Sequence, residues 1–322
     1  MPAPRLLSPP KPSSSALEIS AAGASTARPG SPYVYTFTYT NIPAFTGVKA
    51  YIKLPAHATY VSSSLPCAVA AGVATCTLGD LSADGSASFT FTLQVNRLKK
   101  VGSPLVPQGP PNYSIGAVGI LPVSGTNNLA IDTVTPFLDV PATDPFLNDI
   151  QAVWAAGITN GCGLGSPLPF CPASLITRAE LSVFFERSLH GGTYNPGTPP
   201  ITYTDTASSP FKYWIEAFKT DGITSGCGPA IFCPDQTASR AQMAVMLLRA
   251  SEGSSYSPPA ATGTIFTDVS ITTFAAAWIE QLNKLGYSNG CGSGKFCPDR
   301  MVTRAESASL LRRVFGFPLP TQ

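Results

Sequence analysis

The feature that most constrains the fold is an internal repeat, which occurs three times after Thr135. Each copy opens with an aromatic residue and an aspartate, then contains a glycine-terminated segment, a loop bounded by two cysteines, and a segment that begins Thr/Ser-Arg-Ala-Glu/Gln. The period is roughly 62–66 residues, so each copy is one supersecondary unit that buries its apolar face against its neighbours. The sequence therefore predicts three packed copies, at residues 137–192, 203–253 and 266–317.

The first segment of each copy has the pattern of an amphipathic helix. Apolar side chains recur at helical spacing and share one face. Each segment stops at a glycine, Gly157, Gly222 or Gly286, as is common at helix C-termini. The predicted apolar faces consist of Phe146, Ile150 and Val153 in the first copy, Phe211, Ile215 and Phe218 in the second, and Phe274, Ile279 and Leu282 in the third.

The second segment of each copy begins with the S/T-x-x-E/Q pattern of a capping box, which predicts a helix start at Thr177, Ser239 and Thr303. Gly- and Pro-rich linkers separate the copies. We therefore interpret each copy as a helical hairpin that is joined loosely to the next.

The chain before the repeats divides into two parts. Residues 1–15 are rich in proline and serine, a composition that buries no core and favours an extended arm. In residues 16–136 aromatic residues alternate with smaller ones, most clearly over residues 33–40, which is the period of a β-strand. Short strands separated by Gly, Pro, Asn and Asp predict a β-sandwich. The predicted strands are residues 33–40, 48–54, 59–62, 74–78, 87–95, 114–121 and 129–134.

The eight cysteines fall into four close pairs, and an even number in local pairs predicts four disulfides in an oxidising compartment. Metal binding by the loops of the repeats is the alternative, but each loop offers two sulfur atoms and no neighbouring histidine, whereas structural zinc takes four ligands. We interpret His57 and His190 as ordinary surface residues. The predicted pairs are Cys67 with Cys76, Cys162 with Cys171, Cys227 with Cys233, and Cys291 with Cys297.

Charge and hydropathy exclude two classes of partner. The chain has 20 basic and 18 acidic residues, so it has no field that attracts nucleic acid or an anionic membrane. No segment approaches the length of apolar sequence that a transmembrane helix needs. Because residues 1–10 lack the apolar core of a signal peptide, we expect a mature or recombinant form.

The sequence offers little material for catalysis, and we predict that the chain is not an enzyme and uses no cofactor. The segment Gly290–Lys295 is not a phosphate-binding loop, because its spacing differs and Phe296 stands where a magnesium-binding Ser or Thr is needed. Two histidines leave almost no candidate for triad chemistry. We interpret Asp144 as a helix-start residue and Asp149 as an exposed-face residue.

The repeats resemble the S-layer homology domain, in which an aromatic-x-Asp opening, a glycine turn, a Phe-x-Pro and a Thr-Arg-Ala-Glu helix start follow in this order. The resemblance implies three helix-loop-helix units in a pseudo-threefold arrangement, whose grooves bind secondary cell-wall polymer. Residues 16–136 contain, in this order, YTFTYTN, VKAYIKLP, ATYVSS, C-x8-C-TLGDL and SASFTFTLQV. This order resembles that of an immunoglobulin-like surface domain known as domain of unknown function 11. The expected fold class is thus an all-β part, an immunoglobulin-like β-sandwich, followed by an all-α part.

One arginine in each copy stands out: Arg178, Arg240 and Arg304 each occupy the first helical position, where the helix dipole disfavours a cation by roughly 0.3–1 kcal/mol. The repeated position predicts a compensating anion. One candidate is the opening aspartate of each copy (Asp139, Asp205 and Asp268) in a structural ion pair. The other is a carboxylate on a bound sugar, which suits a planar guanidinium. The resemblance implies that these arginines contact glycan, and we assign all six residues to the predicted glycan site.

Two functional hypotheses follow. In the first, the protein is a secreted, non-catalytic component of the bacterial cell surface that attaches to secondary cell-wall polymer or a peptidoglycan-linked acidic glycan. In the second, it is a subunit of an extracellular homopolymeric filament or sheet, in which the repeats are packing units and the arm of residues 1–15 links neighbouring subunits. Both hypotheses place the protein outside the cell.

Overall fold

The protein is described by a computed structural model that covers residues 17–107, 111–125, 127, 129–163 and 169–321. The chain forms two compact units, which meet in sequence between Val134 and Thr135. The predicted arm of residues 1–15 lies outside the described residues. The sequence predicted a boundary at residue 136, two positions after the boundary in the structure.

The first unit consists of short strands, as the alternating pattern predicts. Its elements are β1 (Leu17–Ala22), β2 (Thr26–Ala27), β3 (Pro32–Asn41), β4 (Phe45–Lys53), β5 (Ala58–Ser63), β6 (Cys67–Ala70), β7 (Val73–Leu81), β8 (Gly85–Val95), β9 (Tyr113–Ala117), β10 (Ile120–Ser124) and β11 (Asp132–Thr133). They form a four-stranded sheet in the order β1-β3-β8-β5, a five-stranded sheet in the order β10-β9-β4-β7-β6, and a short pair of β2 with β11.

The two larger sheets share one core. Along β3 every second side chain is buried, including Tyr33, Tyr35 and Phe37, because successive side chains of a strand point to opposite faces. Phe37 lies opposite Phe89 on β8, and its ring is 5.3 Å from that of Tyr113 on the other sheet. The first unit is therefore a two-layer β-sandwich.

The strand predictions need three corrections. Residues 114–121 form part of a hairpin rather than one strand, because the chain turns at Gly119. The φ of Gly119 is positive, a conformation that glycine adopts without strain. Residues 129–134 contain only the two-residue strand β11. The sequence analysis also missed β1, β2 and β6; β1 and β6 are end strands of the two larger sheets, and β2 is a two-residue strand.

The second unit is helical. Its helices are α1 (Leu147–Ala155), α2 (Arg178–His190), α3 (Lys212–Thr220), α4 (Arg240–Glu252), α5 (Ala276–Lys284) and α6 (Arg304–Phe315). Gly157, Gly222 and Gly286 follow the first helix of each copy at positive φ, as predicted. None of the described helices is long and apolar enough to cross a membrane.

The hairpin interpretation of each copy is wrong. The main helix pairs join different copies: α2 packs on α3, α4 on α5, and α6 on α1. The rings of Phe185 on α2 and Phe218 on α3, for example, lie 5.3 Å apart. The long cysteine loop separates the two helices of one copy. The linker between copies turns the chain back, so that the first helix of the next copy packs against the second helix of the copy before it.

The segments that precede the second helices complete the contacts between copies. Thr177 pairs with Thr237, Ser239 with Met301, and Leu175 with Thr303. The first copy thus contacts the second, the second contacts the third, and the third contacts the first. The described part of the second unit is a closed ring of contacts rather than an open row of loosely joined copies.

Candidate functional site

Each second helix begins as the sequence predicts. The side-chain oxygen of Thr177 accepts from the backbone N–H of Glu180, and the Glu180 carboxylate accepts from the backbone N–H of Thr177 at 2.9 Å. Equivalent capping boxes start α4 and α6. They hold the following arginine in the first helical position, and Arg178, Arg240 and Arg304 are only 4%, 5% and 3% exposed.

Each buried arginine reaches into the next copy around the ring. The Nε of Arg178 donates to the main-chain oxygen of Phe232 at 2.9 Å, that of Arg240 to Phe296 at 2.8 Å, and that of Arg304 to Phe170 at 3.0 Å. The guanidinium also lies over the ring of the same phenylalanine, 4.7 to 5.4 Å from its centroid. A desolvated cation over an aromatic face is a favourable contact, so the arginines join the copies.

The opening aspartates do not form ion pairs with these arginines, which corrects the structural alternative. Instead, the two carboxylate oxygens of Asp205 accept from the backbone N–H groups of Phe232 and Cys233, at 2.9 and 2.7 Å. Asp139 and Asp268 hold their own loops in the same way. The second cysteine of each loop has a positive φ, which residues other than glycine seldom adopt. The aspartates therefore stabilise an unfavourable turn.

The aspartates still act on the arginines at a distance. Burial lowers the pKa of Arg178, and the nearby side chains of Tyr203 and Asp205 oppose that change. Burial likewise lowers the pKa of Arg240 and of Arg304. Glu306 and, to a smaller extent, Asp268 oppose the change at Arg240, and Glu180 and then Asp139 oppose it at Arg304. Each aspartate thus acts on the arginine of the preceding copy.

The three arginines differ in their anionic partners. Arg304 Nη1 donates to the Glu180 carboxylate at 2.8 Å. Arg240 Nη1 lies 3.9 Å from Glu306, which Arg300 also pairs with. The corresponding residue facing Arg178 is Gln242, and within the described residues Arg178 forms no ion pair with a carboxylate. Its Nη2 is buried and has no hydrogen-bond partner in the described structure.

Arg178, which has no carboxylate partner among the described residues, lines a groove that we call the Gln242 groove. The groove has a volume of about 340 Å³ and is lined by residues of all three copies, among them Arg178, Gln242, Arg249 and Trp278. The Arg249 guanidinium stands 5.6 Å from the Trp278 ring. Two cations and an aromatic face therefore meet in a groove whose lining residues include no carboxylate.

An equivalent groove, the Glu180 groove, has a volume of about 240 Å³ and is lined by Arg304, Glu180, Arg187 and Trp214, among others. Here the Arg187 guanidinium lies 5.1 Å from the Trp214 ring, but the Glu180 carboxylate already neutralises Arg304. The place around the ring where Arg240 faces Glu306 is equivalent to these two grooves, and we call it the third position. There, Asp149 replaces the tryptophan of the other copies. Asp149 is half-buried and paired with Arg312, which corrects its interpretation as an exposed-face residue.

Some predicted core residues belong to these grooves instead. Phe211 lines the Glu180 groove, and Phe274, which is 66% exposed, lines the Gln242 groove. Phe146 is half-buried at a helix N-cap. These phenylalanines precede the first helical residue, so the helical period does not bury them. The sequence reading did not assign Arg187 and Arg249 to the site, although each lies nine positions after the arginine of its copy.

The four disulfides occur as predicted: Cys67–Cys76, Cys162–Cys171, Cys227–Cys233 and Cys291–Cys297. The last three each close one loop within one copy, and the first joins the paired strands β6 and β7. The bridges stabilise individual loops and leave the contacts between copies to side chains and backbone hydrogen bonds.

Residues 265–308 match the family model of the S-layer homology domain. Cell surface glycoprotein 1 of Acetivibrio thermocellus is 31% identical over 151 residues, which are 45% of this chain and 6% of that protein. The cellulosome-anchoring protein of the same organism is 29% identical over 154 residues, 45% of this chain and 33% of that protein. An endoglucanase of Bacillus sp. strain KSM-635 is 28% identical over 190 residues, 58% of this chain and 19% of that protein.

The chain thus spans no more than 33% of the length of any of these three relatives. A chitin-binding domain of a Pyrococcus furiosus chitinase aligns with 36% of this chain and 98% of that chain, at 20% identity and a TM-score of 0.24, a value that supports no relationship. The family match covers the third copy from Phe266 through Arg304 and includes Asp268. The chain therefore contains an S-layer homology domain and is similar to proteins of the bacterial cell surface.

Proposed function

We propose that this protein is a non-catalytic anchor of the bacterial cell surface, which binds an acidic cell-wall glycan in the Gln242 groove. The observation that carries the proposal is that Arg178, which lines an open groove, forms no ion pair with a carboxylate among the described residues, and its buried Nη2 has no hydrogen-bond partner there. Leaving a buried charged donor unsatisfied costs free energy. A bound carboxylate would supply the missing acceptor.

The proposal treats all three copies as S-layer homology units in a pseudo-threefold arrangement. The match of the third copy supports this, and so do the same capping box, buried arginine and aspartate-held loop in the other two. The cell-surface and cellulosome-anchoring relatives agree with a role in attachment to the wall. The immunoglobulin-like type of the first unit, and its role as a spacer, are part of the same proposal.

The chemistry of the Gln242 groove favours an acidic sugar. Arg178 presents a planar guanidinium that can bind a carboxylate through two hydrogen bonds. Arg249 adds a second cation, and Trp278 offers a flat apolar face of the kind that lines ligand sites. In the Glu180 groove and at the third position, carboxylates of the protein already occupy the arginines, so we propose that these two bind acidic glycan weakly. The aspartates of the predicted site would act by positioning the loops.

The test is binding of isolated secondary cell-wall polymer to the purified chain, followed by cosedimentation and calorimetry. Arg178→Gln should weaken binding roughly 10- to 100-fold, because a charge-assisted hydrogen bond contributes about 1.5–3 kcal/mol. The matched change Arg240→Gln should weaken binding much less. Circular dichroism would verify that both variants fold.

A converse variant sharpens the test. Gln242→Glu introduces a carboxylate at the position from which Glu180 pairs with Arg304, so it should pair with Arg178, raise the unfolding temperature and weaken glycan binding. Undiminished binding by both Arg178→Gln and Gln242→Glu would refute the assignment of this groove.

Assembly is the second candidate function, and a feature of the first unit favours it. Strand β10 ends the five-stranded sheet, and all five of its residues are exposed, with Leu121 at 87%. An exposed edge strand offers unpaired backbone groups to another chain. We propose that a segment of a second copy, such as residues 1–15, pairs there. Light scattering of the full chain and of a chain without residues 1–15 tests this. If both chains are monomeric at high concentration, the assembly proposal is excluded.

A further inference from the structure

A cluster of three ionisable side chains lies away from both grooves. Glu186 and His190 are one helical turn apart on α2, and Asp221 caps the C-terminus of α3 in the next copy. The His190 Nε2 is 2.6 Å from Asp221 Oδ2 and 3.7 Å from Glu186 Oε2. The sequence analysis interpreted His190 as an ordinary surface residue, but the structure places it between two carboxylates.

Glu186 is the unusual member of the cluster. Its side chain is fully buried, yet within the described structure neither carboxylate oxygen has a hydrogen-bond partner. Burying a carboxylate without a hydrogen-bond partner is costly, so a cation bound beside Glu186 would stabilise the site.

The donor set identifies which cation fits. One imidazole nitrogen and two carboxylate oxygens are ligands that Zn²⁺ accepts, with bonds of about 2.0–2.2 Å. Ca²⁺ and Mg²⁺ prefer oxygen alone. The three ligand atoms lie within 4.8 Å of one another. Tetrahedral bonds to zinc separate the ligand atoms by about 3.3 Å, so small side-chain movements would bring all three onto one ion.

Access and coordination number agree with this assignment. The side chains of His190 and Asp221 are 39% and 31% exposed, so an ion can enter from solvent. Such an ion can keep a water molecule as its fourth ligand. The other copies lack the set: the residues that correspond to Glu186 are Leu248 and Arg312. The cluster is thus specific to the junction of α2 and α3.

We propose that Glu186, His190 and Asp221 form a Zn²⁺ site that crosslinks the first and second copies. The ion would replace the missing partner of Glu186 and fix α2 to the end of α3. This inference does not depend on the proposed glycan binding, because none of the three residues lines either groove.

The test uses the full chain without a polyhistidine tag, titrated with ZnCl₂ by calorimetry and followed by thermal unfolding. Wild type should bind one Zn²⁺ and gain several degrees in unfolding temperature, whereas Mg²⁺ gives no shift. His190→Gln should weaken binding by more than the roughly 10- to 100-fold that loss of an outer-shell partner costs. The matched variant His57→Gln, which changes the other histidine of the chain, should bind like wild type.

Glu186→Gln separates metal binding from a purely structural role. It removes a ligand and a buried charge but keeps the shape, so the metal-free variant should be at least as stable as wild type and yet gain nothing from Zn²⁺. Co²⁺ should give visible absorption in wild type that His190→Gln lacks. No Zn²⁺-dependent stabilisation of wild type, or an equal one in His190→Gln and Glu186→Gln, would overturn the proposal.

Discussion

Differences between the copies at single positions give the three equivalent arginines different partners. Arg178, Arg240 and Arg304 share a helix position, a phenylalanine carbonyl and an aromatic face, yet only Arg178 lies opposite a glutamine. The opposing residue therefore decides whether an arginine forms an ion pair within the protein or keeps a donor atom without a partner. The sequence predicted the arginines and their unusual position, because capping is local. It could not predict their partners, which come from another copy.

At the same scale, Asp268 provides a test of the loop-holding role. Burial acts to raise the pKa of Asp268, but hydrogen bonds from the N–H groups of Phe296 and Cys297 outweigh it and lower the pKa. A lowered pKa means that this stabilisation is complete above the unfolded-state pKa of about 4 and is lost as the pH falls through the folded-state value. Asp268→Asn should therefore cost about 1–2 kcal/mol at pH 7.

The measurement is urea unfolding of the chain at pH 7 and pH 3. The difference between wild type and Asp268→Asn should shrink at pH 3, where the aspartate is increasingly protonated in both folded and unfolded chains. Asp235→Asn, at an exposed residue of the preceding copy, serves as control. An equal cost at both pH values would show that the carboxylate charge does not hold the loop.

At the scale of elements, the two helices of each copy depend on different interactions. The second helices have side-chain caps at Thr177, Ser239 and Thr303, whereas the first helices have none. Short helices without caps are marginal in isolation, so α1, α3 and α5 rely on packing against the second helix of the preceding copy around the ring. The sequence predicted where the helices occur, but pairing between copies involves contacts that no local pattern encodes.

Two phenylalanines that the sequence assigns to equivalent apolar faces should behave differently. Phe218 is fully buried against Phe185, whereas Phe274 is 66% exposed. Phe218→Ala should destabilise the second unit by about 3–5 kcal/mol because it leaves a cavity. Phe274→Ala should change stability by less than about 0.5 kcal/mol. Chemical unfolding of both variants checks this, and similar losses would contradict the described burial.

At the scale of the whole molecule, the closed ring of the second unit distinguishes it from an open row of repeats. In an open row each copy contacts only its sequence neighbours, so a terminal copy can be lost without affecting distant ones. Here the third copy contacts both the first and the second. The helical unit has its own core, as the sandwich does.

Deletion of residues 265–321 should therefore abolish the cooperative unfolding of the remaining helices, because α1 loses α6 and α4 loses α5. Calorimetry of the shortened chain checks this. A chain that begins at Thr135 is the matched deletion, and it should keep the helical transition because that unit retains its whole core. A cooperative helical transition in the chain that ends at residue 264 would contradict the ring.

The ring also has a consequence for evolution. The first copy supplies Arg178 to the Gln242 groove, Glu180 to the Glu180 groove and Asp149 to the third position. Selection therefore acts on a substitution in one copy through a groove that other copies help to build. Exchange of a whole copy would alter both grooves and the third position. Closure leaves no free end at which a duplicated copy could be added. We therefore expect the three copies to be inherited as one set that diversifies by point mutation.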